Sequence, residues 1–256
     1  MKLQQFVALA AQLSRRKAAL NIKEGQVTVN GQVVLEPYRQ IETETDAVLL
    51  KGKRVLLKRD PEIVLLLHKP AGFITADHDP EGRPLARELF RSKVKTRVFP
   101  VGRLDFNSEG LLLFTNNGDL ANQVAHPRYQ IPRTYKLKVH GVVQKKHLDR
   151  IRKGLFVPEL GHFPSCKIYI KRATGKNTWL TITLQRGKNR ELRRLFQFLG
   201  YPVVKLIRTH FGPFSLTGIP RGKIHILSES ELVAFRQYLA KRNKEKSKIE
   251  EKVGTS

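Results

Sequence analysis

The first sixty residues carry apolar side chains in the pattern of two helices followed by a hairpin. The first helix is indicated by apolar residues spaced along one helical face, which are Leu3, Phe6, Val7 and Ala10. Ser14 can cap a second helix, in which Ala18, Ala19 and Ile22 point inward. Val27 and Val29 then alternate up to Asn30-Gly31, which is a strong hairpin signal. The pattern predicts a separate small module over residues 1–60.

From Glu62 the pattern changes to short strands mixed with a few helices. Residues 63–67 form a continuous apolar run that ends at the turn signal of residues 68–72. Alternating apolar positions predict two further strands, with Tyr135, Leu137 and Val139 in one and Leu180, Ile182 and Leu184 in the other. Leu192, Leu195, Phe196 and Leu199 predict a helix that begins at Asn189 and ends at Gly200. The fold class expected for residues 61–239 is α+β with a mainly antiparallel sheet.

The C-terminal segment has a different composition. Residues 241–248 are strongly charged and lack apolar side chains, so we expect residues 240–256 to form a basic, disordered tail. Nowhere does an apolar run approach the roughly 20 residues that a membrane-spanning helix needs.

The net charge of the chain indicates which class of partner it binds. The chain has 48 Lys and Arg residues against 22 Asp and Glu, a formal net charge of +26. Such an excess favours a nucleic acid over a membrane surface, because no basic amphipathic helix with a large apolar face is evident. The single cysteine, Cys166, excludes an intrachain disulfide framework and a Cys-rich zinc site. It indicates a reducing, cytoplasmic location.

The densest candidate for chemistry is the segment 102–115, in which polar residues directly precede an apolar strand. Asp105 is the candidate catalytic group, because a core strand gives a reactive side chain rigid support. The alternative is that Asp105 is an ordinary turn residue whose side chain bonds its own backbone.

Two later segments are candidates for nucleotide binding. Tyr135, in Arg133-Thr134-Tyr135, is either a core tyrosine or an aromatic platform for a base. Residues 185–194 combine a Gly-containing loop with a basic helix start, either as a phosphate-binding loop or as a solvated helix face.

The start of the second helix, Ser14-Arg15-Arg16-Lys17, places three cations where the helix dipole favours acids. The segment is therefore either a phosphate-docking surface or a solvated basic face. With Gly25-Gln26-Val27-Thr28-Val29-Asn30-Gly31, it makes residues 3–31 resemble an S4 RNA-binding domain. The resemblance implies that Ser14, Arg15, Arg16 and Lys17 contact structured RNA.

Taken in order, four segments resemble the successive motifs of an RNA pseudouridine synthase. They are Lys69-Pro70-Ala71-Gly72, Gly102-Arg103-Leu104-Asp105, Arg133-Thr134-Tyr135 and the run from Gly187 to Leu195. The S4-like head, together with residues 204–208 and 216–222, resembles the branch that modifies bacterial large-subunit ribosomal RNA. The resemblance covers roughly residues 1 to 235, and it implies that ribosomal RNA, namely 23S rRNA, is the partner and that the protein is a monomer.

The resemblance assigns a role to each matching residue. Asp105 stands at the family's essential aspartate, which attacks the ribose or removes a ribose proton as the glycosidic bond breaks. Tyr135 matches the aromatic that stacks on the target uracil, Leu206 the apolar side chain on the other face of the base, and Arg193 the partner of the aspartate. Arg103 is expected to hold the flipped nucleotide. Lys69 and Arg190 are expected to contact RNA.

Isomerisation of uridine to pseudouridine changes neither oxidation state nor atom count, so no metal and no organic cofactor is expected. Two other functions stay open. A metal-dependent nuclease would be built from Asp105, Glu109 and the loop Asp77-His78-Asp79. A non-catalytic RNA-binding ribosome-assembly factor would retain the fold alone.

Overall fold

A computed structural model describes residues 1–57 and 60–253, with side chains as far as residue 244. The chain divides into two compact units, Met1–Pro61 and Glu62–Ser256. The division falls next to the boundary expected after residue 60.

The first unit contains the two predicted helices and the predicted hairpin. Helices α1 (Leu3–Ala10) and α2 (Arg15–Lys23) cover a four-stranded antiparallel sheet with strand order β2-β1-β3-β4. Its strands are β1 (Val27–Val29), β2 (Gln32–Val33), β3 (Val48–Leu50) and β4 (Lys53–Arg54). Asn30 and Gly31 take the positive φ angles, 51° and 83°, that the tight β1–β2 turn requires. The core is built from the predicted apolar positions, including Leu3, Phe6, Val7, Ala18, Ile22, Val27 and Val29.

The second unit is organised around a nine-stranded sheet. Its main path is β11-β12-β8-β13-β7-β5-β15, with β14 paired to β13 and β6 paired to β7. The strands are β5 (Val64–Lys69), β6 (Phe99–Val101), β7 (Glu109–Thr115), β8 (Arg133–His140), β11 (Lys167–Thr174), β12 (Asn177–Leu184), β13 (Val203–Phe211), β14 (Phe214–Ser215) and β15 (Ile224–Ile226). A separate antiparallel pair is formed by β9 (Leu155–Val157) and β10 (Gly161–Phe163).

All described pairings in the large sheet are antiparallel except that of β7 with β13. The expected α+β class with a mainly antiparallel sheet is therefore confirmed. The parallel pair brings Gly110 so close to Arg208 that a β-carbon at Gly110 would lie 2.3 Å from the Arg208 carbonyl oxygen.

Strand β5 is buried on both faces, which explains its uninterrupted apolar run. Val64 and Leu66 join one core cluster, whereas Leu65 and Leu67 join another on the opposite face. The strand also extends two residues past the predicted run, because His68 and Lys69 continue the ladder with β7.

Among its described residues, four helices and two short 3-10 helices complete the unit. They are α3 (Gly118–Ala125), α4 (Lys145–Lys153), α5 (Glu191–Phe198) and α6 (Glu229–Val253), with 3-10 turns at Ala86–Leu89 and Pro127–Tyr129. Helix α5 buries Leu192, Leu195 and Phe196 as predicted. It begins at Glu191 rather than at Asn189, because Arg190 is its N-cap residue in a left-handed conformation with φ of 50°.

The prediction of a disordered tail is wrong for residues 240–253, because helix α6 continues past residue 240 to Val253. Phe235 and Leu239 are buried in the core and anchor the first half of this helix. Extension of an existing helix is easier than nucleation, and the Lys-, Arg- and Glu-rich continuation has good helix propensity. Residues 254–256 of the predicted tail lie outside the described residues. Within residues 1–57 and 60–253, none of the helices has the length and hydropathy to cross a bilayer.

Candidate active site

Asp105 lies on the loop of residues 102–108, which connects β6 to β7. The loop begins at Gly102, whose φ of 74° favours glycine. The Leu104 carbonyl accepts a hydrogen bond from the Thr75 hydroxyl at 3.0 Å, and the Asp105 carbonyl accepts one from the Ser108 amide at 3.0 Å. The Asp105 side chain is 36% exposed, so the loop holds a partly open carboxylate directly before a core strand.

Lys69 supports this loop from inside, and its predicted contact with RNA is wrong. Its side chain is completely buried at the end of β5. The ammonium donates to the carbonyl oxygens of Ser108 at 2.8 Å, Pro70 at 2.9 Å and Phe106 at 3.4 Å. Burial lowers the pKa of Lys69 to about 8, opposed by the negative charges of Asp105 and Glu109. The apolar run on β5 carries this lysine into the interior, where it cannot reach a phosphate.

Two arginines at the start of α5 face the Asp105 carboxylate. Nε of Arg193 lies 3.7 Å from Oδ2 of Asp105, and Nη1 of Arg190 lies 3.9 Å from the same oxygen. Arg193 is mostly buried, and burial lowers its pKa while Asp105 opposes that shift. Arg190 is 54% exposed and remains accessible to an anion. The predicted pairing of Asp105 with Arg193 is therefore present as an ion pair longer than a hydrogen bond.

The loop before α5 is organised by Glu191, which was not singled out from the sequence. Its buried carboxylate accepts hydrogen bonds from Nε of Arg186 at 2.9 Å and from the Lys188 amide at 3.1 Å. A carboxylate in the first turn also stabilises the helix dipole. Glu191 therefore ties the Gly187 loop to the helix and presents Arg190 and Arg193 toward Asp105.

A cavity of about 300 Å³ opens beside Asp105. Tyr135 on β8 and Leu206 on β13 both line it, as do Arg103 and Arg190. Tyr135 is half-buried and Leu206 is buried, which suits the walls of a slot better than a solvated surface. The structure thus brings Asp105, Tyr135, Leu206, Arg103 and Arg190 to one cavity, with Arg193 against its carboxylate.

Two buried arginines of the same cavity were not identified from the sequence. Arg133 and Arg208 are 7% and 3% exposed, and both guanidinium carbons lie 4.8 Å from the centre of the Phe211 ring. Burial lowers the pKa of Arg133. The sequence did contain a signal for Arg208: it is a charged residue at a position of β13 where the alternating pattern predicts a buried side chain.

In the first unit, Ser14 caps α2 by accepting a hydrogen bond from the Lys17 amide at 3.1 Å. Arg15, Arg16 and Lys17 are exposed, and the first turn carries no acidic residue. The side-chain oxygen of Ser14 is thus engaged in the cap, while the three cations remain available to a polyanion.

The carboxylates of the nuclease alternative are each paired with a cation. Glu109 lies 3.1 Å from Lys205, Asp79 lies 2.7 Å from Arg83, and Asp77 lies 2.8 Å from Arg97. Among the residues described, no group of three or more His, Cys, Asp or Glu side chains is arranged to hold a metal ion.

Comparison with known proteins identifies families for both units. Residues 63–198 match the RNA pseudouridylate synthase family, and residues 1–48 match the S4 domain.

Several whole-length relatives are similar. Ribosomal large subunit pseudouridine synthase B of Bacillus subtilis (strain 168) is 36% identical over 92% of this chain and 95% of its own length. An uncharacterized RNA pseudouridine synthase of Aquifex aeolicus (strain VF5) is 39% identical over 91% of this chain and 92% of its own. A crystal structure of a pseudouridylate synthase has the same fold, with a TM-score of 0.64 and 24% identity over 91% of this chain and 98% of that one.

These matches cover both units of the chain. They include the segment that brings a carboxylate, a guanidinium partner and an aromatic side chain to one basic cavity. The two units of this chain are an S4 domain and a catalytic domain, and the chain belongs to the RNA pseudouridine synthase family.

Proposed function

We propose that this protein isomerises a uridine of large-subunit ribosomal RNA to pseudouridine, with Asp105 as the essential catalytic residue. The observation that carries the proposal is the Asp105 carboxylate, paired with Arg193 at 3.7 Å, beside a cavity that Tyr135 and Leu206 line. The substrate follows from the relatives named ribosomal large subunit pseudouridine synthase B, including those of Bacillus subtilis and Yersinia pestis.

The reaction breaks the bond between ribose C1′ and N1 of uracil and forms a bond between C1′ and C5. The C5 proton is lost and N1 gains one, so the product is an isomer. Asp105 either attacks C1′ or removes a ribose proton during bond cleavage. Tyr135 stacks on the uracil and helps to remove the C5 proton, and Leu206 closes the opposite face of the base.

The target nucleotide must leave its stacked position to reach this cavity, at a cost of a few kcal/mol. Stacking on an aromatic side chain, worth about 1–3 kcal/mol, offsets part of that cost. We propose that Arg103 and Arg190, whose exposed side chains line the cavity, hold the flanking phosphates. Arg15, Arg16 and Lys17 of the S4 domain add contacts to structured RNA.

We place the enzyme in the cytoplasm, where bacterial ribosomal RNA is made, and we propose that it acts as a monomer. One catalytic domain carries the whole set of side chains that the proposal needs, namely Asp105, Tyr135, Arg193 and Leu206.

The test is to map pseudouridines in ribosomal RNA from cells with and without this protein, and then to restore the wild-type chain or Asp105→Asn. We expect one or more large-subunit positions to lose pseudouridine and to regain it only with the wild type. Asp149→Asn, which alters an exposed carboxylate on α4, is the matched control and should restore modification.

Purified Asp105→Asn should bind the mapped RNA nearly as well as the wild type while forming no product. Turnover by this variant would refute the catalytic role. An unchanged pseudouridine map would favour the assembly factor. RNA cleavage that EDTA abolishes would favour the nuclease.

A further inference from the structure

Arg208 has a guanidinium group whose hydrogen-bonding capacity the protein does not use fully. The residue is 3% exposed, and its Nε donates to the Leu111 carbonyl oxygen at 2.7 Å. Its Nη2 is buried and has no hydrogen-bond partner among the residues that the structure describes. A buried donor without an acceptor destabilises the protein, and more so when the donor is charged. The cost is recovered if an acceptor enters the cavity.

The position of Arg208 indicates which part of a substrate could supply that acceptor. In the antiparallel ladder of β13 with β8, Arg208 lies directly opposite Tyr135. Leu206 precedes Arg208 by two residues on the same strand, so all three side chains share one face of the sheet. All three also line the cavity beside Asp105. A base held between Tyr135 and Leu206 would therefore have an edge next to Arg208.

Arg133 offers a close comparison within the same cavity. Its guanidinium carbon contacts the same Phe211 ring at the same distance, 4.8 Å, and the residue is also buried. However, Nη2 of Arg133 donates to the carbonyl oxygens of Val124 at 3.1 Å and Ala125 at 3.2 Å, at the end of α3. The protein therefore satisfies this nitrogen in Arg133 and leaves its counterpart in Arg208 free.

We propose that Nη2 of Arg208 donates a hydrogen bond to a carbonyl oxygen, O2 or O4, of the flipped uracil. This inference rests on the proposed function and adds a second role to the cavity. When the C1′–N1 bond breaks and its electron pair stays on the base, the negative charge spreads from N1 to O2 and O4. A fixed guanidinium donor stabilises that charge as it develops, and it also orients the ring for attachment through C5.

A base carbonyl fits this donor better than a backbone phosphate does. Arg208 is almost completely buried, whereas Arg103 and Arg190 present exposed cations at the same cavity. Phosphates of a flipped nucleotide remain near the protein surface, where those two side chains can reach them. The buried Nη2 of Arg208 is therefore available to the base, which is the part of the nucleotide that enters the cavity most deeply.

The experiment compares an RNA stem-loop containing the mapped uridine with the same RNA carrying 2-thiouridine or 4-thiouridine at that position. Sulfur accepts hydrogen bonds poorly, so we expect the wild-type kcat to fall about tenfold with one of the two analogues. Arg208→Lys should be about 100-fold slower on uridine, and its kcat should not fall further with that analogue. Arg133→Lys is the matched control and should retain the wild-type ratio of uridine to thiouridine rates.

The ratio of rates cancels the intrinsic reactivity of each thio base, because the same RNA is given to every variant. Equal ratios of uridine to thiouridine rates for the wild type and Arg208→Lys would overturn the inference while the proposed function stands. A wild type that modifies no RNA would overturn both. Arg208→Gln serves as the second variant if Arg208→Lys does not fold, and its ratio of uridine to thiouridine rates is read in the same way.

Discussion

The guanidinium of Arg193 joins strand β13 to the loop of residues 102–108 while facing the Asp105 carboxylate at 3.7 Å. It donates to the Val203 carbonyl oxygen at 3.3 Å and to the Asn107 carbonyl oxygen at 3.4 Å. These backbone bonds orient the side chain independently of the ion pair. Loss of Arg193 therefore removes both the charge beside Asp105 and a clamp on the loop that carries it.

Replacing Arg193 with glutamine should lower kcat by about 100-fold or more, because the carboxylate loses its positive partner at the reacting centre. RNA affinity should change little, since this guanidinium is mostly buried. Single-turnover rates and filter binding measure the two effects separately. Arg194→Gln, on the next residue of α5, removes an exposed cation paired with Glu159 and is the matched control. Similar kcat losses in both variants would contradict the specific role of Arg193.

Lys69 is expected to act through the loop of residues 102–108, which carries Asp105, so Lys69→Met should reduce kcat by at least about tenfold. The methionine removes the donor that holds the carbonyl oxygens of Ser108 and Pro70. Lys153→Met, at an exposed position on α4, is the control. Full activity in Lys69→Met would show that the loop keeps its geometry without the ammonium.

The same lysine predicts a pH dependence of stability. Burial lowers its pKa in the folded state to about 8, against 10.5 for the ordinary group. Between these values the unfolded chain binds more protons at this site, so its contribution to the free energy of unfolding rises with pH. The free energy of unfolding should therefore rise with pH more steeply for the wild type than for Lys69→Met, by up to about 1.4 kcal/mol per pH unit. Urea unfolding between pH 7.5 and 9.5 measures this pH dependence for both proteins. Equal slopes for the wild type and Lys69→Met would contradict the burial of a charged lysine.

Gly110 is required where β7 and β13 pair in parallel. A β-carbon there would lie 2.3 Å from the Arg208 carbonyl oxygen and 2.6 Å from its amide nitrogen, and the φ of 111° disfavours other residues. Gly110→Ala should cost more than about 3 kcal/mol of stability or prevent folding. Gly222→Ala, with φ of 76° and open space around the position, should cost only about 1 kcal/mol. Equal thermal shifts in the two variants would refute the close approach.

The three cations at the start of α2 should contribute to the salt dependence of RNA binding. Changing Arg15, Arg16 and Lys17 to glutamine should reduce the slope of log K against log salt by about 2 to 3. The matched control replaces Lys51, Lys53 and Arg54, three exposed cations of the same unit that lie in and beside β3 and β4. An unchanged slope in the α2 variant, or an equal decrease in the control, would contradict a phosphate-docking role for α2.

The sequence was sufficient to predict the elements whose signals are local. The helix spacing of Leu3, Phe6 and Val7, the Asn30-Gly31 turn and the α5 face with Leu192 all appear as expected. The motif residues Asp105, Tyr135, Leu206 and Arg193 could also be selected, and the structure gathers them at one site. Their catalytic roles stay predictions.

The sequence by itself determined the elements with strong local signals, the basic charge and the family, because those depend on residue types and their spacing. Only the tertiary structure decided which charged side chains are buried. Lys69 and Arg208 lie on strands that are adjacent to β7, and the depth of a strand in a sheet is set by contacts between distant segments. Long-range packing therefore turned an expected RNA contact into an internal support, and it revealed a free donor beside Tyr135.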